Sequence, residues 1–246
     1  MSADIHDISR EKGPGVAIIT GGSQGIGAGL VAAYRQQGWA VVANARTIKP
    51  SEDRDVHTVE GDVSEPATAE RIVSEALEYF GRIDTLVNNA GVYISKPFSD
   101  YTVGDYATAI GVNLTGFFLL TQRVISEMLK RGSGHVVNIA ATIAVYANKS
   151  EPGVLAALTK GGLAMATRSL AIEYASCGIR VNAVSPGFIQ TPMHPPGSFD
   201  DMGDRMPPIG RPGQVSDVVN GILFLESSPY ITGEILHVDG GMIAGH

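Results

Sequence analysis

Thr20-Gly21-Gly22-Ser23-Gln24-Gly25-Ile26-Gly27 decides how the rest of the chain is read. It follows the apolar run Val16-Ala17-Ile18-Ile19. It precedes apolar positions at helical spacing, Leu30, Val31, Ala33 and Tyr34, which close at Gly38. A buried strand, a glycine-rich turn and a helix in that order form a cradle suited to a dinucleotide pyrophosphate. Glycine permits the tight turn and lets the backbone approach the phosphates. The new helix offers unpaired N–H groups and its positive dipole end to an anion. The glycine spacing is wider than the common G-x-G-x-x-G pattern, so the turn alone is weak evidence and the surrounding chain must support it.

Outward from this turn, short apolar runs alternate with helical patterns. Residues 40–45, 57–63, 84–91, 135–139, 179–184 and 235–238 read as further strands. Pro66 suits a helix start, and Ile72, Val73, Ala76, Leu77 and Phe80 follow at helical spacing until Gly81. Residues 114–130, 153–175 and 218–225 read as helices, the first two rich in apolar side chains. Such alternation implies parallel pairing through right-handed crossovers. The expected fold is α/β, a single doubly wound parallel sheet with helices on both faces, formed by residues 14–246. Residues 1–13 are polar and read as a flexible tail. Residues 191–212 are dense in proline, glycine and methionine. A long irregular loop after a strand's C-terminal end predicts a lid over a ligand cleft.

Composition narrows the function. The chain has 246 residues, 44% of them hydrophobic, and a formal net charge of −7. That charge argues against nucleic acid as the main partner. No apolar run approaches the roughly 20 residues that span a bilayer, so no membrane partner is expected. The start lacks an apolar signal core, and Cys177 is the only cysteine, so a cytoplasmic location is expected. The six histidines form no ligand-like cluster with carboxylates or cysteine, so no metal is expected.

Several segments occur in a familiar order: Thr20 to Gly27, Asp62-Val63, Asn88-Asn89-Ala90-Gly91, Asn113, Lys160, Pro186-Gly187-Phe188-Ile189-Gln190-Thr191, and Val238-Asp239-Gly240-Gly241. On these the chain resembles the short-chain dehydrogenase/reductase family, in the manner of 3-oxoacyl-carrier-protein and carbonyl reductases. The resemblance runs from about residue 16 to 241. It implies a Rossmann fold and a nicotinamide cofactor. It places Gly21, Ser23, Gln24, Gly25, Ile26 and Gly27 at the pyrophosphate and Asp62 and Val63 beside the adenine. Asn89, Ala90 and Gly91 then line the adenosine ribose and the middle of the cleft. Pro186, Gly187, Ile189 and Thr191 hold the nicotinamide, and Lys160 its ribose. An NAD site usually has an acid at the end of the second strand. Here Ala45 stands there, followed by Arg46, whose guanidinium suits the extra phosphate of NADP. NADPH is expected over NADH; the alternative is that Arg46 is a solvated surface charge and that Asn44 or a later group sets selectivity.

The resemblance also implies a tyrosine proton donor, a lysine one helical turn later, a serine on the substrate oxygen and a supporting asparagine. Lys160 and Asn113 match. Ala156 stands at the tyrosine position, and Ala140-Ala141 at the serine position. The chemistry has moved to other residues, or the protein keeps a binding role without turnover, or the sequence carries substitutions that disable or redesign the site. Tyr146 is the candidate for a relocated proton donor, and Thr142 for the missing hydroxyl. His194 reads as a plain loop histidine and Asp239 as a turn stabiliser. The expected function is NADPH-dependent reduction of a ketone or aldehyde to an alcohol. The alternative is a catalytically impaired NADP-binding member or engineered variant that acts in ligand binding or assembly. Met193, Met202, Met206, Phe188, Phe199 and Ile209 suggest an apolar substrate wall. The helices at 114–130 and 153–175 form subunit contacts in the family, so a homodimer or homotetramer is expected.

Overall fold

The computed structural model describes residues 15–149, 151–194, 197–200, 202–203 and 206–245. The tail expected at residues 1–13 lies outside the described residues. Seven strands are present among those described: Val16–Thr20 (β1), Ala40–Ala45 (β2), Val56–Glu60 (β3), Thr85–Asn88 (β4), Gly134–Ile139 (β5), Ile179–Pro186 (β6) and Ile235–Val238 (β7). They form one sheet in the order β3-β2-β1-β4-β5-β6-β7. Every neighbouring pair is parallel. The expected doubly wound architecture is observed, with some strand ends a few residues shorter than the sequence reading.

Successive side chains of a strand leave on opposite sides. Ile18, Val42, Leu86, Val136 and Val181 therefore meet one layer of helices, Pro66–Phe80 (α2), Gly116–Arg131 (α4) and Val154–Tyr174 (α5). Ala17, Ile19, Val41, Ala43, Val87, Val137 and Val184 meet the other layer, Gly25–Gln36 (α1) and Val215–Glu226 (α6). Because both faces are covered, these strands read as continuous apolar runs rather than alternating ones. Pro66 opens α2, and Gly81 closes it in the left-handed conformation with φ 72°.

The long helix is the main correction. The apolar pattern places its start at residue 114, but helix Val103–Ile110 (α3) precedes it. Thr102 and Asp105 form a capping box that starts α3. A π-helical turn, Gly111–Thr115, then joins α3 to α4. The polar cap and two glycines hid this segment from an apolar-spacing argument. The merged helix Val103–Arg131 is long and apolar enough, by length and composition, to cross a membrane. That corrects the expectation that no segment approaches this length. Length and composition do not themselves make a span, and Leu120, Val124, Ile125 and Met128 are committed to the sheet. Outward, α4 exposes Phe118, and α5 exposes Leu158, Met165 and Ile172 on one stripe. These are the two helices whose composition called for burial on more than one face.

At the strand N-terminal edge, a buried polar cluster joins five elements. The Glu226 carboxylate accepts hydrogen bonds from Tyr34 Oη at 2.8 Å and Thr85 Oγ1 at 3.0 Å. His135 Nδ1 lies 3.1 Å from Glu226 Oε2, and Asn182 Nδ2 lies 3.1 Å from His135 Nε2. Asn182 can only donate there, so His135 Nε2 accepts and the imidazole is neutral with its proton on Nδ1. Burial holds His135 below its ordinary pKa despite Glu226. Burial alone would raise Glu226, but its bonds to His135, Tyr34 and Thr85 hold it below the ordinary value. Both shifts are downward, so the unfolded chain binds more protons than the folded one. The stability they confer is complete above about pH 6.5 and falls as pH drops through the histidine and then the carboxylate range. Glu226→Ala leaves the buried His135, Tyr34 and Thr85 donors without their acceptor, at about 1–3 kcal/mol for each group left unpaired. In thermal melts at neutral pH it should lower Tm by roughly 10 °C, and Glu226→Gln should flatten the acid limb of stability. An unchanged melt and acid limb would contradict this account.

Candidate active site

The crevice opens where the strand order reverses, between β1 and β4, outside the strand C-termini. Thr20 ends β1, and its Oγ1 accepts hydrogen bonds from the backbone N–H groups of Asn89 and Ala90 at 3.0 and 2.9 Å. Asn89 Nδ2 returns a bond to Thr20 O at 2.8 Å. This exchange fixes the glycine-rich turn against the chain that follows β4. Gly21 has φ 66°, and a Cβ there would stand 2.8 Å from Asn89 Nδ2. A Cβ on Gly27 would stand 2.1 Å from Gly21 O. Both positions therefore require glycine. α1 begins after Gln24 with no side-chain cap, so its first N–H groups face the turn unpaired.

These elements border one cleft of about 740 Å³. Its lining includes Gly21, Ser23, Gln24, Gly25, Ile26, Arg46, Asp62, Val63, Asn89, Ala90, Gly91, Lys160, Pro186, Gly187, Ile189 and Thr191. Of the expected cofactor residues only Gly27 is absent from the lining. It sits beneath the turn and is buried.

At one end of the cleft, β2 finishes at Ala45, and Arg46 is exposed. The Asp62 carboxyl is held below its ordinary range by the Ser64 N–H, with a smaller contribution from Arg46. Asn44 donates to Val59 O and Gly61 O at 2.9 and 3.1 Å, while its Oδ1 is buried without a partner. An orphaned acceptor in a cleft wall, beside a glycine cradle that no side chain could enter, fits a large polar ligand such as a dinucleotide. Asn44, the alternative selectivity residue, lines this end, as does Thr47, which was not singled out from sequence. Only the register of Asn44 beside β3 reveals its unused oxygen.

The floor is formed by Lys160, which projects from α5 and donates to Ile139 O at 2.6 Å. Burial pushes its ammonium down to about 8. Asn113, in the π-helical turn, is locked on Val92: its Oδ1 accepts from Val92 N–H at 2.8 Å and its Nδ2 donates to Val92 O at 3.0 Å. Nδ2 also reaches Thr159 Oγ1 at 3.1 Å. A Cβ on Gly91 would lie 3.3 Å from Lys160 Nζ and 3.4 Å from Asn113 Oδ1, so the two side chains flank this glycine. Ala140, Ala141 and Ala156 line the same cleft, and the first and last are buried. They bring no hydroxyl to the lysine's side of the cavity.

Tyr146 and Thr142 both line the cleft, with Thr142 at the start of the short helical turn Thr142–Ala144. Tyr93, Asn148 and Glu151 line it as well and were missed from sequence. The loop expected as a lid leaves after Ile189, which bridges to Gly213. Gln190 N–H donates to Gly213 O at 2.8 Å, and Ile209 N–H to Gly240 O at 3.0 Å. Both ends are therefore pinned. Met193 and His194 reach the cleft; Phe188 and Met242 complete that wall. His194 Nδ1 is buried with no hydrogen-bond partner among the described residues. Asp239 accepts from the Gly241 and Ile243 N–H groups at 2.9 and 3.0 Å, which is the turn role read from sequence. No metal-ligating cluster exists among the described residues.

A sequence profile of the family described as Enoyl-(Acyl carrier protein) reductase matches residues 21–243. The chain belongs to the short-chain dehydrogenase/reductase family. The 3-oxoacyl-(acyl-carrier-protein) reductase FabG of Thermotoga maritima is 35% identical over 243 residues, covering 93% of this chain and 97% of that one. Among solved structures of the family, ElxO with NADP bound has a TM-score of 0.87 at 28% identity, over 94% of this chain and 100% of that one. The 3-ketoacyl-(acyl-carrier-protein) reductase from Brucella melitensis complexed with NADH has a TM-score of 0.83 at 30% identity, over 93% of this chain and 98% of that one.

Proposed function

We propose that this chain reduces a ketone or aldehyde to an alcohol with NADPH. The observation that carries the reading is one cavity holding both the glycine cradle and the desolvated Lys160 ammonium. The named activities of FabG and of the Brucella enzyme support the reaction class. The Brucella structure carries NADH and the ElxO structure NADP, so the choice of cofactor rests on this chain's own residues. Arg46 follows Ala45 where an acid would favour NADH, and it forms no salt bridge among the described residues. A guanidinium held free at the rim suits a ribose phosphate. Asn44, Thr47 and Asp62 complete that end.

A bound nicotinamide supplies a hydride to the carbonyl carbon. The chain must orient the carbonyl, stabilise charge on its oxygen and deliver a proton. With its pKa near 8, Lys160 is mostly cationic at neutral pH and sets a positive field on the cleft floor. Asn113 holds the Val92 segment beside it. Tyr146 donates the proton and Thr142 holds the oxygen, since Ala156, Ala140 and Ala141 can do neither. The same three alanines favour a second reading, in which the chain binds NADP and a ligand without turnover.

Two measurements test these assignments. Each charge-assisted bond is worth about 1.5–3 kcal/mol, so Arg46→Asp should lower the ratio of NADPH to NADH efficiency by about tenfold or more. An unmoved ratio would reject Arg46 as the selectivity residue. Tyr146→Phe should lower carbonyl-dependent NADPH oxidation by about 10²–10⁴. Undiminished turnover would remove Tyr146 from the donor role, and absence of turnover in the unsubstituted chain would support the binding-only reading.

A further inference from the structure

Two segments far apart in sequence meet at the wall of the cleft beyond Ala156. One is the chain after β4, at Tyr93 and Ser95. The other is the turn Glu151-Pro152-Gly153 that enters α5. Ser95 Oγ donates to Pro152 O at 2.8 Å, and Tyr101 Oη braces the first segment by donating to Ile94 O at 2.8 Å. Burial first, and then the charge of the nearby Glu151 carboxylate, push the Tyr93 phenol up to about 12. Glu151 N–H donates to Asn148 O at 3.1 Å. A Cβ on Gly153 would stand 2.6 Å from Ile143 Cδ1 and 3.1 Å from Tyr93 Oη, so the turn packs directly on the tyrosine. These contacts hold the turn that carries Glu151 against the chain after β4.

Its position and its charge are both informative. Gly153 precedes Ala156 by one helical turn, about 4.5 Å along the axis. Glu151, two residues before Gly153, lines the same cleft as Ala156 and Lys160. The described lining residues include only two carboxylates, Asp62 and Glu151. Asp62 is hydrogen-bonded to Ser64 at the Arg46 end, where the Arg46 charge also acts on it. Glu151 is the acid at the substrate end, and no lysine or arginine among the described residues forms a salt bridge with it. Lys149 is exposed, and Lys160 is bonded to Ile139 O. Tyr93, Tyr146 and Ile143 line the same cleft, and Tyr93 lies close enough for the Glu151 charge to act on its phenol.

We propose that Glu151, positioned by Tyr93, recognises a protonated amine on the substrate, so that the carbonyl compound reduced here is an amino ketone or amino aldehyde. A carboxylate flanked by aromatic rings gives a desolvated ammonium both a charge-assisted hydrogen bond and cation–π contact. An anionic substrate meets like charge at this wall. A wholly apolar one covers the carboxylate without pairing it. This narrows the apolar ketone expected from sequence to one with a cationic end. The inference rests on the proposed carbonyl reduction, and its test separates the two.

The test compares para-(aminomethyl)acetophenone with its neutral isostere para-ethylacetophenone, with para-(hydroxymethyl)acetophenone and with para-acetylphenylacetate, at saturating NADPH. The amine should exceed the ethyl compound in kcat/KM by about tenfold to a hundredfold. In Glu151→Gln that ratio should fall toward one, and in Tyr93→Phe it should fall part-way. Equal efficiency for amine and ethyl compounds, a preference for the hydroxyl or carboxylate compound, or a ratio unmoved by Glu151→Gln would overturn the proposal. The corresponding alcohols, titrated calorimetrically into the NADP-loaded protein, read recognition without turnover. Amine preference in binding with no ketone reduced would sustain this site and reject the reductase reading. Turnover without amine preference would do the reverse.

Discussion

The hydroxyl of Thr20 carries more of this structure than its size suggests. It accepts two backbone N–H groups from the chain after β4, at the point where strand order reverses. The parallel sheet leaves β1 and β4 ending side by side, with helices departing to opposite faces. Without a cross-link the two turns would be free to splay, and the glycine cradle would lose its wall. Asn89 completes the link from the other side, so a residue expected to line the ribose also serves as the clamp. Gly21 and Gly27 are consequences of the same close approach, since a side chain at either would collide with the clamp or the turn.

Charge is distributed along the cleft by the elements that border it. Arg46 comes from the end of β2, Lys160 from the first turns of α5, and Glu151 from the loop that feeds α5. Arg46 with Asp62 at one end, Lys160 on the floor and Glu151 on a further wall thus give the cleft a local pattern of charge, in a chain whose net charge is −7. Overall charge predicts none of this; local placement does. The buried Glu226 cluster lies at the opposite edge of the sheet, where it bonds Tyr34 on α1 and the first residues of β4 and β5. Stability and ligand handling are thus separated by the length of the strands.

Much of the fold was legible because parallel strands covered on both faces are continuous apolar runs, and seven such runs are visible. The cradle was legible because glycine is forced there. What stayed hidden depended on tertiary register. α3 was missed since its polar cap and glycines break the apolar spacing. The π-helical turn, which aims Asn113 at Val92, has no local signature in Gly111–Thr115. Asn44 was legible as an alternative selectivity residue, but its unused oxygen was not. Tyr93 and Glu151 are separated by α3, α4 and β5, and neither sits in a recognisable pattern. Ala156 and Ala140-Ala141 were plain from sequence, but only the cavity places them beside Lys160.

The central claim is that a cleft retaining the lysine still supports hydride delivery to a carbonyl. NADPH deuterated at the transferable nicotinamide C4 position, mixed with stoichiometric protein and excess ketone, tests it in a single turnover. The account predicts deuterium on the carbinol carbon of the product alcohol, detected by mass spectrometry. Tight NADPH binding with no deuterium reaching any ketone or aldehyde offered would contradict it.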